Sequence, residues 1–275
     1  MTAKELCHGV MTSQQMSNIE REKQMLAADK FVMLLNRLNV TYDEFLFLLD
    51  NEHLSSKYIL ERKLAKYVKR RNVQQLQKLA EKSMNLFKEY DDIFFQHIEL
   101  MSRAIIQLIH SNNDYQQAKK YLAPIKKYLT MVDAFGYYEI KLVGQCLFMF
   151  EIEEAISFGE RAVDAIKKSQ GTHQNSSDGC VLLTNMAIYM LDYEEYYSRA
   201  LEYSQASINL ATANSDATRS VNAQIIKQIA HFKLGDGLFN EQHLIALTDT
   251  FKLLDWHMEY ERVLNFIKKH GISLT

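Results

Sequence analysis

Apolar side chains recur at alternating three- and four-residue steps along most of the chain, the spacing of one face of an α-helix. The pattern is plainest at Phe94, Ile98, Met101, Ile105 and Leu108, which predicts a helix over Ile93 to His110. The same reading places helices at about Lys57 to Arg71, Val73 to Tyr90, Tyr115 to Val132, Tyr137 to Phe150, Ile152 to Ser169 and Cys180 to Leu191. Others follow at about Glu195 to Ala213, Ala217 to Leu234, Gln242 to Leu254 and Met258 to His270. Short polar turns separate them, so the theme is helix, turn, helix, turn.

Three of these helices share an anchor followed by a small residue: Tyr115-x-x-Ala118, Ile152-x-x-Ala155 and Tyr197-x-x-Ala200. Alanine on a helix face lets a second helix approach closely. The alanines are 37 and 45 residues apart, near the unit length of tetratricopeptide and related helical-pair repeats. A single pair cannot bury both of its faces, so stacked pairs make a curved solenoid with a concave side. Polar residues recur where that side is expected. Arg103, Gln145 and Asn185 each follow a core residue (Met101, Val143, Leu183) by two places and are 42 and 40 residues apart, and Asn222 continues the series 37 residues on, though it follows Val221 by one place rather than two. Amides spaced along a groove can meet the N–H and C=O groups of an extended peptide. Tyr138, Lys141 and Tyr189 add aromatic and charged groups to the same candidate groove. Polar satisfaction between helices explains a lone asparagine equally well.

Composition agrees with an all-α chain. Among 275 residues there are 1 proline and 9 glycines, with 47% apolar content, so helix breakers are scarce. The longest uncharged apolar runs, such as Leu142 to Phe150, fall far short of the 18 or so residues of a membrane span, and Met1 to Val10 lacks a signal-peptide core; a cytoplasmic protein without membrane contact is expected. Cys7, Cys146 and Cys180 are widely spaced with no C-x-x-C pair, which points to small buried fillers rather than a disulfide or zinc framework.

Catalytic patterns are missing too. There is no His-Glu-x-x-His, no P-loop and no pair of histidines at i, i+4, and Gly235-Asp-Gly237 lacks the third glycine of a dinucleotide fingerprint. The chain reads as a non-enzyme with no cofactor and no metal.

The amino-terminal stretch is different in kind. Thr2 is a candidate cap for a short helix that stops at Gly9, and Thr12 with Gln15 forms a capping box for a second helix starting at Ser13. Met16 and Ile19 supply its buried side, with Leu6 and Val10 from the helix before. Ser13, Gln14, Gln15, Asn18 and Arg21 point outward, with Lys23 just beyond. Helix, tight turn and second helix is the arrangement of a DNA-reading module, and Gln, Asn and Arg suit base edges in a major groove. An ordinary solvated helix accounts for the same residues. A further helix runs from about Ala27 to Leu38 with Phe31, Leu34, Leu35 and Leu38 on one face, and Thr41 with Glu44 caps a last one through Phe45, Leu46 and Leu49.

Cys7-His-Gly-Val-Met-Thr-Ser-Gln-Gln-Met-Ser-Asn-Ile-Glu-Arg21 followed by Phe31-x-x-Leu-Leu-x-x-Leu-x-Val-x-x-x-Glu-Phe45 resembles the amino-terminal module of Rgg/GadR/MutR-type regulators. These are peptide-sensing transcription factors of Gram-positive bacteria that join a Cro/repressor-like helix-turn-helix to a tetratricopeptide-like domain. The resemblance implies an all-α chain: a helix-turn-helix module over residues 1–52, then a right-handed tetratricopeptide-like solenoid over 53–275 that senses peptide and dimerises. The join is expected at Asp50 to Ser56, with Ser55 and Ser56 as a cap. It implies double-stranded operator DNA, a short re-imported signalling peptide and a second copy as partners, with an asparagine of the groove helix holding peptide backbone. One departure stands out: such modules carry a preceding helix that this sequence does not show. Leu6, Val10, Ile19 and Leu35 would lose part of their cover, so either the start lies upstream or DNA binding is weakened.

Charge bears on the same point. Net charge is -2, and the first 50 residues hold 5 Lys or Arg against 7 Asp or Glu, where phosphate neutralisation favours a basic surface. The helix after the join is basic, with Arg62, Lys63, Lys66, Lys69, Arg70 and Arg71 against Glu61. It offers either phosphate contacts or a solvated face above buried Tyr58, Leu64, Tyr67 and Val68. The apolar terminus, Phe251 to Met258 and Val263 to Ile267, either packs under the preceding helix or forms a C2 dimer patch. A tetratricopeptide-type adaptor that no longer binds DNA is the alternative to the regulator.

Overall fold

The computed structural model describes residues 1–49, 52–111, 115–168 and 173–274. Among them there are fifteen α-helices and no strand, and they divide into two compact units, Met1–Ser102 and Arg103–Thr275.

In the first unit the local signals act as read. Thr2 caps α1 (Ala3–Cys7) and Thr12 caps α2 (Ser13–Glu20), each in a complete capping box. α3 (Ala28–Leu38) follows, and α4 (Tyr42–Leu49) opens on a reciprocal pair in which Thr41 N donates to Glu44 Oε2 at 2.7 Å and Glu44 N donates to Thr41 Oγ1 at 3.2 Å. α1 packs on both α2 and α3, and Cys7, Met16 and Leu34 meet in a small core bordered by Leu6, Val10, Met11 and Leu26. An arginine locks it. Arg37 of α3 donates from Nη1 to the carbonyls of Leu6 (2.7 Å) and His8 (2.6 Å), satisfying the open end of α1.

Leu35 is buried, whereas Leu6, Val10 and Ile19 are half-buried. Leu38, expected on the same face as Leu34 and Leu35, stands 43% exposed: the small core around Cys7, Met16 and Leu34 does not extend to it. The side chains of Leu46 and Leu49 lie outside the described ones.

α5 (Glu52–Lys69) begins five residues before the expected start at Lys57, so the start is not a cap at Ser55 and Ser56, whose side chains lie outside the described ones. It packs on α6 (Val73–Tyr90). Its buried face carries Leu60 and Leu64, with Tyr67 half-buried. Tyr58 and Val68 are 62% and 37% exposed, contrary to expectation: Tyr58 points away from the Leu60–Leu64 stripe, and Val68, though on that stripe, lies in the last turn of α5. The exposed cations Arg62, Lys66, Arg70 and Arg71 therefore share the surface with apolar side chains. α7 (Ile93–His110) buries Phe94, Ile98 and Met101 and leaves Ile105 and Leu108 half-buried.

The second unit is built from α8 (Tyr115–Met131), α9 (Tyr137–Cys146), α10 (Ile152–Lys168), α11 (His173–Met190), α12 (Tyr197–Ala213), α13 (Ala217–Leu234), α14 (Glu241–Leu253) and α15 (His257–Lys269). α11 touches both α9 and α13, giving one row; α10 packs on α9 and α11, and α12 on α11 and α13, giving the second. This two-row order is that of stacked helical pairs. Ala118, Ala155 and Ala200, the small members of the anchor motif, are at most 2% exposed. A Cβ at Gly159 of α10 would run into the far end of the Met186 side chain of α11, which would have to shift to admit it. Arg161 repeats the device of Arg37: Nη1 donates to Leu129 O at 2.7 Å and Nη2 to Val132 O, closing the end of α8.

Two boundaries differ from expectation. α9 stops at Cys146 and continues as a 3-10 turn over Leu147–Met149, and α11 starts at His173 rather than Cys180. The apolar terminus divides. Phe251, Val263 and Ile267 are buried, while Leu253, Leu254, Trp256 and Met258 are 85%, 48%, 40% and 71% exposed.

His270, 3% exposed, has an Nε2 without a hydrogen-bond partner. Burial, helped by the Lys269 charge, pushes its pKa down to about 4. The folded state thus holds a neutral imidazole whose stabilising share is complete above the unfolded value of about 6.5 and is lost as pH falls toward 4. Urea unfolding of wild type should lose up to about 3 kcal/mol across that window, and His270→Gln should show a correspondingly flatter pH profile.

Candidate functional site

Two regions hold the candidate side chains. The first is α2. Thr12 N donates to Gln15 Oε1 at 3.0 Å and Gln15 N donates to Thr12 Oγ1 at 3.1 Å. The carboxamide of Gln15 is thereby partly spent on ending the helix, which leaves its amide nitrogen for any outside contact. Gln14 Nε2 donates to Asn18 Oδ1 at 3.2 Å, so these two form a linked polar pair one turn apart. Ser13, Gln14, Arg21 and Lys23 are exposed; Gln15 and Asn18 are half-buried.

α2 ends at Glu20, with Arg21 as its C-cap and Glu22 in the left-handed region at φ 57°. Arg21 and Lys23 therefore sit at the helix's C-terminal end rather than along its outer face. A cation there complements the helix dipole whatever else it does.

The second region is the inner row α9, α11 and α13. Tyr138, Lys141 and Gln145 follow one another at three- and four-residue steps on α9. Tyr138 packs edge-on to Tyr128 at 6.1 Å between centroids, and Lys141 Nζ stands 5.6 Å from the Tyr137 ring. The Tyr128 hydroxyl donates to the buried Glu139, and burial together with that contact holds its pKa above the ordinary tyrosine value. Gln145 is exposed.

On α11, Asn185 Nδ2 donates to Gly144 O of α9 at 3.0 Å and the Tyr189 hydroxyl donates to Phe150 O at 2.7 Å. The first tie joins α11 to its row neighbour α9 and the second joins it to the segment that follows the 3-10 turn, and a side chain that uses its hydroxyl this way has less of it for a ligand. Asn222 Nδ2 bonds back to Thr218 O at 3.1 Å. Arg103 is exposed on α7.

A cavity of about 300 Å³ opens beside Asn185 and Asn222, which both line it. Of the other predicted groove residues, Arg103, Tyr138, Lys141, Gln145 and Tyr189 are not among its lining. Its remaining wall comes from residues that sequence reasoning missed: Thr184 on α11, Arg219 and Ile226 on α13, and Arg262, Val263 and Phe266 on α15. Arg219 was within reach of a helical-wheel argument, one turn before Asn222. Nothing local announces that α15 supplies a wall.

Cys180 lies at the cavity with its thiol pushed up to about 11 by burial, and Cys146 is buried with its thiol pushed up to about 12. Both stay as uncharged thiols at neutral pH. Cys7 is likewise buried, as expected of fillers.

Residues 73–263 match the family model described as the C-terminal domain of the HTH-type transcriptional regulator Rgg. The chain belongs to the Rgg family. It is a family of transcriptional regulators, not of enzymes, and the resemblance seen in the amino-terminal residues is confirmed from the other end of the chain.

Solved structures agree in fold. A putative transcriptional regulator from Listeria monocytogenes EGD-e is 18% identical with a TM-score of 0.79, the match covering 99% of this chain and 94% of that one. The SHP pheromone receptor Rgg2 of Streptococcus dysgalactiae is 20% identical with a TM-score of 0.71, covering 98% and 94%. PlcR of Bacillus thuringiensis, in complex with the peptide PapR7 and DNA, is 15% identical with a TM-score of 0.68, covering 96% and 94%. At such identities the likeness is one of fold. Among the described residues no helix is long and apolar enough to cross a membrane, and no cluster of His, Cys, Asp or Glu could hold a metal ion.

The capping box makes a local prediction. Thr12→Ala removes an acceptor for an open helix N–H and should lower the unfolding free energy by about 1 kcal/mol, read by chemical denaturation followed by circular dichroism. Thr12→Ser should retain nearly all of it.

Proposed function

We propose that this Rgg-family chain is a peptide-responsive transcriptional regulator that works as a homodimer. In this reading residues 1–52 form the DNA-reading module, and residues 53–275 bind a short signalling peptide in the groove of the inner helical row. The observation that carries it is the pairing, in one chain, of a capped helix bearing exposed polar side chains with a cavity lined by two amides of the series predicted from sequence. Ser13, Gln14, Gln15 and Asn18 are the base-edge candidates, and Arg21 and Lys23 the phosphate candidates at the far end of α2. Asn185 and Asn222 lead the peptide contacts, with Arg103, Tyr138, Lys141, Gln145 and Tyr189 extending the groove. Operator binding is expected to be weak, given the acidic balance of the module.

The dimer reading is supported by the exposed Leu253, Leu254, Trp256 and Met258. Such a patch on a surface favours burial against a self-complementary copy. Peptide occupancy would then shift the populations of states that differ in affinity for a two-fold operator.

The alternative, an adaptor that binds peptide but not DNA, is favoured by two observations. The module is acidic, and Gln15 and Asn18 are half-buried and engaged within α2. Fluorescence anisotropy against the gene's own upstream region separates the two. The regulator should bind specifically and with a steep salt dependence, and Gln14→Ala or Asn18→Ala should cost about 1–3 kcal/mol of discrimination with unchanged helix content. Binding that ignores both sequence and these substitutions would favour the adaptor. The double variant Leu253→Glu, Met258→Glu should halve the mass seen by light scattering at micromolar concentration; a wild type that is already monomeric would remove the dimer.

A further inference from the structure

The cavity holds more chemical information than the presence of a groove. Its floor is apolar, with Ile226 of α13 and Val263 and Phe266 of α15. Asn185 and Asn222 are each pinned through Nδ2 to a helix carbonyl, at 3.0 and 3.1 Å. One amide hydrogen of each is committed there, which fixes the carboxamide plane and leaves the side-chain oxygens open to a ligand: two acceptors suited to N–H donors.

Two guanidinium groups from different helices complete the wall, Arg219 of α13 and Arg262 of α15. Asp216 takes the Nε edge of Arg219 at 2.9 Å, orienting that guanidinium while cancelling part of its charge. Arg262 is exposed and forms no ion pair among the described residues. The wall thus carries two guanidinium groups, one of them paired with Asp216. Guanidinium groups are the donors best shaped for a carboxylate, which they meet with paired N–H bonds.

Apolar floor, two acceptors and two carboxylate donors within about 300 Å³ match one end of a peptide and not its middle. A mid-chain apolar residue offers N–H groups and a side chain but no anion, and an N-terminal residue brings a cation that the arginines repel. We infer that this cavity captures the free C-terminal residue of the peptide, its carboxylate between Arg219 and Arg262 and its apolar side chain on Val263 and Phe266. Asn185 and Asn222 accept from the last backbone N–H groups. The inference rests on the peptide-binding reading above and adds direction to it: the ligand enters this end of the groove carboxylate first, and its last residue is apolar.

The test uses the full chain and pools of N-terminally fluorescein-labelled heptapeptides, randomised over apolar residues at the first six positions and ending in leucine. One pool carries free C-terminal acids, a second carries C-terminal amides, and a third carries amides with aspartate at position six. Anisotropy titrations should show the acid pool binding at least tenfold more tightly than either amide pool. Arg262→Gln, at an exposed position whose loss leaves the core untouched, should bring the acids down to the level of the amides. Arg262→Lys should fall between, keeping the charge without the paired geometry.

Acids and amides binding equally well, or Arg262→Gln leaving the preference intact, would overturn the carboxylate assignment while leaving peptide binding standing. Tighter binding of the aspartate pool would do the same by moving the anion to a side chain. Failure of all three pools would overturn both readings.

Discussion

Helix-to-helix distance at small residues is the constraint on which the second unit depends. Ala155 and Ala162 of α10, Ala187 of α11, and Ala200 and Ala211 of α12 are at most 2% exposed, and Gly159 sits where a Cβ would collide with Met186. Side chains of this size permit close backbone approach and leave larger neighbours such as Leu182, Met186 and Ile229 to fill the spaces between. Close packing of α10 and α12 against α11 and its neighbours is what sets α9, α11 and α13 in a single row. The groove is a consequence of that row. A bulkier residue at these seams would be felt at the cavity before it was felt at the surface.

Polar groups on the row have two duties. Asn185 and Tyr189, both half-buried, tie α11 to the carbonyls of Gly144 and Phe150, a structural use that satisfies polar groups between packed helices. The tie also orients what remains for a ligand, since an amide held through one N–H still presents its oxygen. Structural and binding readings of Asn185, which compete when only sequence is available, are therefore compatible here. Tyr189 is tilted toward the structural side, because its single hydroxyl hydrogen is already donated.

Both units also close helix ends with an arginine from elsewhere: Arg37 collects carbonyls of α1, and Arg161 those of α8. Charged donors make strong hydrogen bonds to such orphan acceptors and fix the angle between the helices they join. In the first unit this device compensates for a small core, where Leu6, Val10 and Ile19 remain half-buried around Cys7, Met16 and Leu34.

Helix existence and most helix limits were legible in the sequence, because they rest on local physics. Thr2, Thr12 and Thr41 cap the helices they introduce, and Val73–Tyr90, Ile93–His110 and Ala217–Leu234 begin and end where their periodicity does. The repeat was legible too, since Ala118, Ala155 and Ala200 must be small wherever helices pair. Of the candidate cavity only Asn185 and Asn222 were legible, by their spacing along the chain. What only the tertiary structure decided is which stripe of each helix finds a partner. Tyr58, Val68 and Leu38 satisfy a helical period yet face outward, while Arg262, Val263 and Phe266 come from α15 to the wall beside Asn222. Period fixes that a helix has an apolar side; only the placement of its neighbours fixes how much of that side is covered, and a cavity is made by neighbours distant in the chain.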